Sequence, residues 1–175
     1  MTQRKIAAAV FASLLVLGSG ADASSASSGS AKGVRVYDAS KRPICELDEV
    51  GPGAIFEDKT AASANFDKQV KHDLRLKGSS AKEKLKSAYA AWAQNQIAGA
   101  AKTKIDAIRG ARAKTTGLEK GKGAYPTLEQ LRHLHVFHFR IQSDFAALKP
   151  FVDKELDHLR LQFKNWKFEV TYGHR

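Results

Sequence analysis

The stretch TLEQLRHLHVFHFRIQSDFAALKPFVDKELDHLRLQFKNW, residues 127–166, decides how the chain is read. Its apolar positions are Leu131, Leu134, Ile141, Phe145, Leu148, Val152, Leu156, Leu159, Phe163 and Trp166, with His138 completing the series. The steps between them alternate three and four, apart from one repeated four between Val152 and Leu156. Such spacing marks one continuous helix face. Thr127-Leu128-Glu129-Gln130, directly after Pro126, opens it as a capping box. Residues 135–141, HVFHFRI, also alternate as a strand does. Leu131, Leu134, Ile141 and Phe145 stay in helical phase on both sides of them, which favours the helix. Pro150 cannot donate to the carbonyl of Ala146, and its ring crowds that turn. The expectation is therefore two helices, 128–148 and 151–166, meeting at an angle.

Outward from this stretch the pattern changes. Lys167-Phe168-Glu169-Val170-Thr171-Tyr172 alternates as a strand. Near the other end, Val34-Arg35-Val36-Tyr37 and Ile44-Cys45-Glu46-Leu47 flank the turn at residues 38–43 as a hairpin. A lone hairpin is marginal in water, so the C-terminal strand is expected to join it in a small antiparallel sheet. Gly51-Pro52-Gly53 reads as a turn, and residues 54–59 as a connector to a helix at 61–76 carrying Ala62, Phe66, Val70 and Leu74. A second capping box, Ser80-Ala81-Lys82-Glu83, opens a long helix that ends at Gly110. Its inner stripe is Leu85, Tyr89, Trp92, Ile97, Ala101, Ile105 and Ile108. Residues 110–123, rich in glycine and lysine, read as a basic loop. The fold class expected is mainly α, an antiparallel helical bundle with a small antiparallel sheet made by the N- and C-terminal strands. Residues 33–175 form a single domain in this reading.

Residues 1–23 have the pattern of a cleaved secretory signal. Arg4 and Lys5 precede an apolar run at 6–17, and Ala21-Asp22-Ala23 offers a cleavage site. The run is shorter than the roughly twenty residues that span a bilayer, and no second run of membrane length follows. Export to the periplasm or the exterior is expected, with residues 24–32 as a Ser/Ala/Gly-rich leader. The single cysteine, Cys45, excludes an internal disulfide, so the core alone must hold the domain.

The formal charge is +11 on 175 residues. A cationic surface gathers polyanions through many salt-sensitive contacts. The candidate binding residues are Lys102, Lys104, Arg109, Arg112, Lys114, Lys120 and Lys122. Partners of matching chemistry are an anionic envelope component, an acidic protein or a nucleic acid. Histidines supply the second set of candidates. His133, His135, Arg140 and Asp144, with His138, carry the groups of a secreted hydrolase or nuclease. His135 and His138, one helical turn apart, form the candidate metal pair. The chain lacks HExxH, GxSxG, a phosphate-binding glycine loop, a dinucleotide fingerprint and zinc-finger spacing. No cofactor is implied. The function expected first is an exported basic binding or accessory protein, with a His-dependent hydrolase or nuclease second and a metal-binding helical protein third.

Overall fold

A computed structural model describes residues 29–60, 79–110, 125–142 and 146–174. Its centre is a five-stranded mixed sheet, which overturns the helical bundle. The strands are β1 (Ala31–Tyr37), β2 (Pro43–Gly51), β3 (Ala54–Lys59), β4 (Val136–Ile141) and β5 (Lys167–Tyr172). They lie side by side in sequence order. The β1–β2 and β2–β3 pairs are antiparallel, and the β3–β4 and β4–β5 pairs are parallel.

The decisive correction concerns residues 136–141. Phe137, Phe139 and Ile141 are fully buried, while Val136, His138 and Arg140 are half-buried on the other side. That period of two is the pleat of a strand. A helix in phase with Leu134 and Ile141 keeps Phe137 at the margin of its buried face and turns Phe139 off it. In β4 both rings are covered, with the Phe137 ring centroid 5.0 Å from that of Phe139 and 6.3 Å from that of Phe168. The capping box at Thr127 does form, with Gln130 N donating to Thr127 Oγ1 at 3.2 Å and Thr127 N donating to Gln130 Oε1 at 2.7 Å. It starts only a short helix, α3 (Leu128–Arg132), and the chain is extended again by Val136.

Pro150 marks a helix start and not a kink. It lies in the first turn of α4 (Lys149–Gln162), where the missing N–H has no intrahelical partner to lose. The C-terminal strand forms as expected but pairs in parallel with β4. β1 and β5 therefore occupy opposite edges of the sheet and do not pair with each other. Residues 54–59 are strand β3 and not a connector. The Pro52-Gly53 corner, with Gly53 at φ 79°, folds β3 back on β2.

The long helix runs as α1 (Ser79–Ala93), a π turn (Gln94–Gly99) and α2 (Ala100–Arg109). The buried or half-buried series Leu85, Tyr89, Ala93, Ile97, Ala101 and Ile105 advances by fours, which drifts around an α-helix of about 3.6 residues per turn. The π turn contains Gly99 and widens the helix where that drift would carry the stripe off the core. Gly110, at φ 76°, ends α2 and donates to the Asp106 carbonyl at 2.9 Å.

Helices and sheet bury one core. It includes Val34, Leu47 and Ile55 from the sheet, Ile97, Ile105 and Ile108 from the long helix, and Val152, Leu156 and Leu159 from α4. No helix among the described residues is long and apolar enough to cross a membrane. The signal segment, the helix expected at 61–76, residues 111–123 of the basic loop, and the Ser80 side chain of the second capping box lie outside what is described.

Candidate functional site

The carboxyl ends of three parallel strands, β3, β4 and β5, meet along one margin of the sheet. In open α/β sheets ligands bind outside the carboxyl ends of the strands. β3 is antiparallel to β2 on one side and parallel to β4 on the other. It ends in Glu57-Asp58-Lys59.

Strand alternation separates these three side chains. Glu57 registers with Phe139 and Lys59 with Ile141, on the helix-covered face. Glu57 is the one buried charged residue among those described, at 3 % exposure. Lys59 Nζ donates to Glu57 Oε1 at 2.8 Å, and Lys104 Nζ, from α2, donates to Glu57 Oε2. The two lysine side chains are only 11 % and 13 % exposed. Buried ion pairs contribute little net stability, because desolvation offsets their attraction. A carboxylate gripped by two ammonium groups on an otherwise apolar face is therefore weak as a staple, which makes it the candidate site.

Asp58 faces the other way and registers with Arg140. Its amide donates to Asp48 Oδ2 at 2.7 Å. The β2–β3 register gives its last pair at Glu49 and Phe56, so this side-chain bond continues the joint beyond it. Asp48 is thereby fixed one residue from Glu57. Arg140 donates to both Asp58 oxygens, at 2.6 and 2.8 Å, and to Glu49 Oε2 at 2.8 Å. Glu49 is held below the usual carboxylate range by hydrogen bonds from the Ser30 side chain and from Arg140.

Cys45 lies in β2, half-buried, beside a surface hollow it lines with Arg35, Pro43, Ile44 and Glu46. Burial pushes its thiol up to about 11, and Glu57 adds to the rise while Lys104 opposes it. Alkylation of this single thiol, followed against pH, is expected to reach half its limiting rate near pH 11. A midpoint near the ordinary thiol value of about 8.5 would contradict the packing around it.

The residues singled out in the sequence are scattered. His133 faces Glu129 at 3.3 Å on the exposed end of α3. His135 precedes β4, with its ring centroid 5.9 Å from that of Trp166. His138 belongs to β4 and turns to the face opposite Phe137, where Nε2 lies 2.8 Å from Thr171 Oγ1 and Nδ1 lies 3.4 Å from Glu169 Oε2. His135 and His138 have separate surroundings and do not converge. Arg140 is part of the Asp58 grip, and Asp144 lies outside the described residues. Among the described residues no three His, Cys, Asp or Glu side chains form a metal-ligand group.

Of the basic candidates, Lys102 is exposed and Lys104 is half-buried on Glu57. Arg109 lies 5.7 Å over the Phe163 ring and 5.6 Å over the Trp166 ring. Arg112, Lys114, Lys120 and Lys122 lie outside the described residues. The sequence reading passed over Asp48, Glu57 and Lys59. The signal for the last two was Ile55, Glu57 and Lys59 alternating directly after a Gly-Pro-Gly turn.

Comparison of the chain with known protein families, with curated proteins and with solved structures finds no match in any of the three.

Proposed function

We propose that this chain is an exported nuclease, a phosphodiesterase centred on Glu57, Lys59 and Lys104. The observation that carries the reading is Glu57, an acid buried on an apolar sheet face with a lysine on each carboxylate oxygen. Lys59 and Lys104 supply positive charge to a phosphodiester and to the additional charge that builds on its oxygens in the transition state. Both Glu57 oxygens are taken by lysine ammonium groups and Asp48 Oδ2 by the Asp58 amide, so this pair of carboxylates does not fit a shared divalent ion. In the reaction a water oxygen bonds to phosphorus and the bond from phosphorus to the leaving sugar oxygen breaks. The water's proton passes to solvent, and the leaving oxygen takes one from solvent. The formal charge of +11 and the exposed Lys102 and Arg109 support a polyanionic substrate. The pattern of residues 1–23 supports export.

A second reading is an accessory protein that docks on an anionic envelope component or an acidic partner without turnover. Lys82, Lys84, Lys86 and Lys102, all exposed along one long helix, favour it. Cleavage of DNA and RNA by the purified chain separates the two. Lys59→Ala is expected to lower the rate by about a hundredfold, while a His135→Ala, His138→Ala double variant stays near the wild-type rate. Loss of activity in the histidine variant alone would move catalysis away from β3. Salt-sensitive binding with no turnover would support the second reading.

A further inference from the structure

Asp58 stands between the two β3 residues of the proposed centre and reaches neither with its side chain. What it does instead is hold three strands together. Its backbone amide fixes Asp48 of β2 at 2.7 Å. Its carboxylate receives both Nε and Nη2 of Arg140 from β4, and the third guanidinium nitrogen, Nη1, crosses to Glu49 of β2. The guanidinium lies 5.0 Å over the Phe56 ring. Arg140 and Glu49 are only 15 % and 14 % exposed at their side chains, so that arm is shielded from solvent, while Asp58 is half-exposed.

We propose that Arg140 and Asp58 are positioning residues for the centre on the opposite face, a clamp that sets the rotation of β3 and hence where Glu57 and Lys59 stand. The inference rests on the nuclease reading for its catalytic consequence. Its geometry is independent of that reading. A planar guanidinium engages both oxygens of a carboxylate in one fixed plane, and lysine cannot do this. Losing the fork frees Asp58 to turn about the strand axis. Any such turn moves its neighbours Glu57 and Lys59 and loosens the hold of its amide on Asp48. Displacements of about 1 Å at a reacting centre cost up to about a hundredfold in rate. Substrate held by the outlying lysines would be bound as before.

The test compares Arg140→Lys, Arg140→Gln and Asp58→Asn in the full chain, below the unfolding temperature of each. Nucleic-acid cleavage gives kcat and KM. The alkylation rate of Cys45, which lies in the field of Glu57 and Lys104, reports the site without requiring turnover. The expected result for Arg140→Lys is a kcat lower by about ten- to a hundredfold with KM little changed, and faster alkylation. Unchanged kcat and unchanged alkylation, even with a lower Tm, would overturn the proposal and leave a structural staple. If the wild-type chain does not cleave nucleic acid, the nuclease reading fails by itself. The clamp is then decided by alkylation alone, faster in the variants for it and unchanged against it. Asp58→Asn keeps the size of the side chain and serves if the Arg140 variants do not fold.

Discussion

Glu57→Gln is expected to abolish cleavage to within the limit of a sensitive assay, a loss of more than about a hundredfold, and to lower stability at the same time. Two effects coincide because the same carboxylate carries both. Chemically, glutamine removes the carboxylate that holds Lys59 and Lys104 in place for the phosphate. Structurally, it leaves Lys59 and Lys104 with a neutral partner while they remain 11 % and 13 % exposed. Removing one member of a buried charge group costs about 3–5 kcal/mol when the remaining charge has nowhere to go. Lysine stems are long enough to carry their ammonium groups toward water, so the expected cost lies at or below the lower end. Chemical denaturation and single-turnover cleavage of the same preparation measure the two effects. An active, fully stable Glu57→Gln protein would remove Glu57 from the centre.

The second large effect is on the fold. Phe139→Ala is expected to cost about 3–5 kcal/mol in unfolding free energy. The side chain is fully buried, and its ring centroid lies 5.0 Å from that of Phe137. Truncation leaves a cavity on the helix-covered face of β4. The alternative helix through residues 128–148 gives the opposite expectation. In it Phe139, five residues from Leu134 and two from Ile141, turns away from their face, and truncation would cost little. Urea unfolding of the variant therefore separates strand from helix at the position where the two periods compete.

That competition explains what was legible and what was not. Elements with their own local signals were readable: the Thr127 cap, the Gly110 stop, the N-terminal hairpin and the alternation at residues 167–172. Residues 136–141 carried two periods at once. Leu134 and Ile141 are seven apart, two turns of a helix, and so they appeared to bridge a segment that is in fact extended. What settles that segment is its place between β3 and β5, a non-local arrangement that a window of sequence does not contain. Pairing direction was hidden for the same reason, because the crossover segments decide it and not the strand residues. Residues 54–59 were obscured differently. A strand that ends Glu-Asp-Lys looks solvated, and only burial distinguishes Glu57 from an ordinary surface acid. The histidines drew attention by their density in sequence, yet the turn from α3 into β4 sends His133, His135 and His138 to three separate surroundings.

One side-by-side assay decides whether Glu57 and its two lysines cleave nucleic acid. The purified chain is incubated with end-labelled single- and double-stranded DNA and RNA, beside the Glu57→Gln and Lys59→Ala proteins. Cleavage by the wild type that disappears in Glu57→Gln and falls about a hundredfold in Lys59→Ala is the expected result. No cleavage by the wild type, or variants as active as the wild type, would contradict a centre on β3.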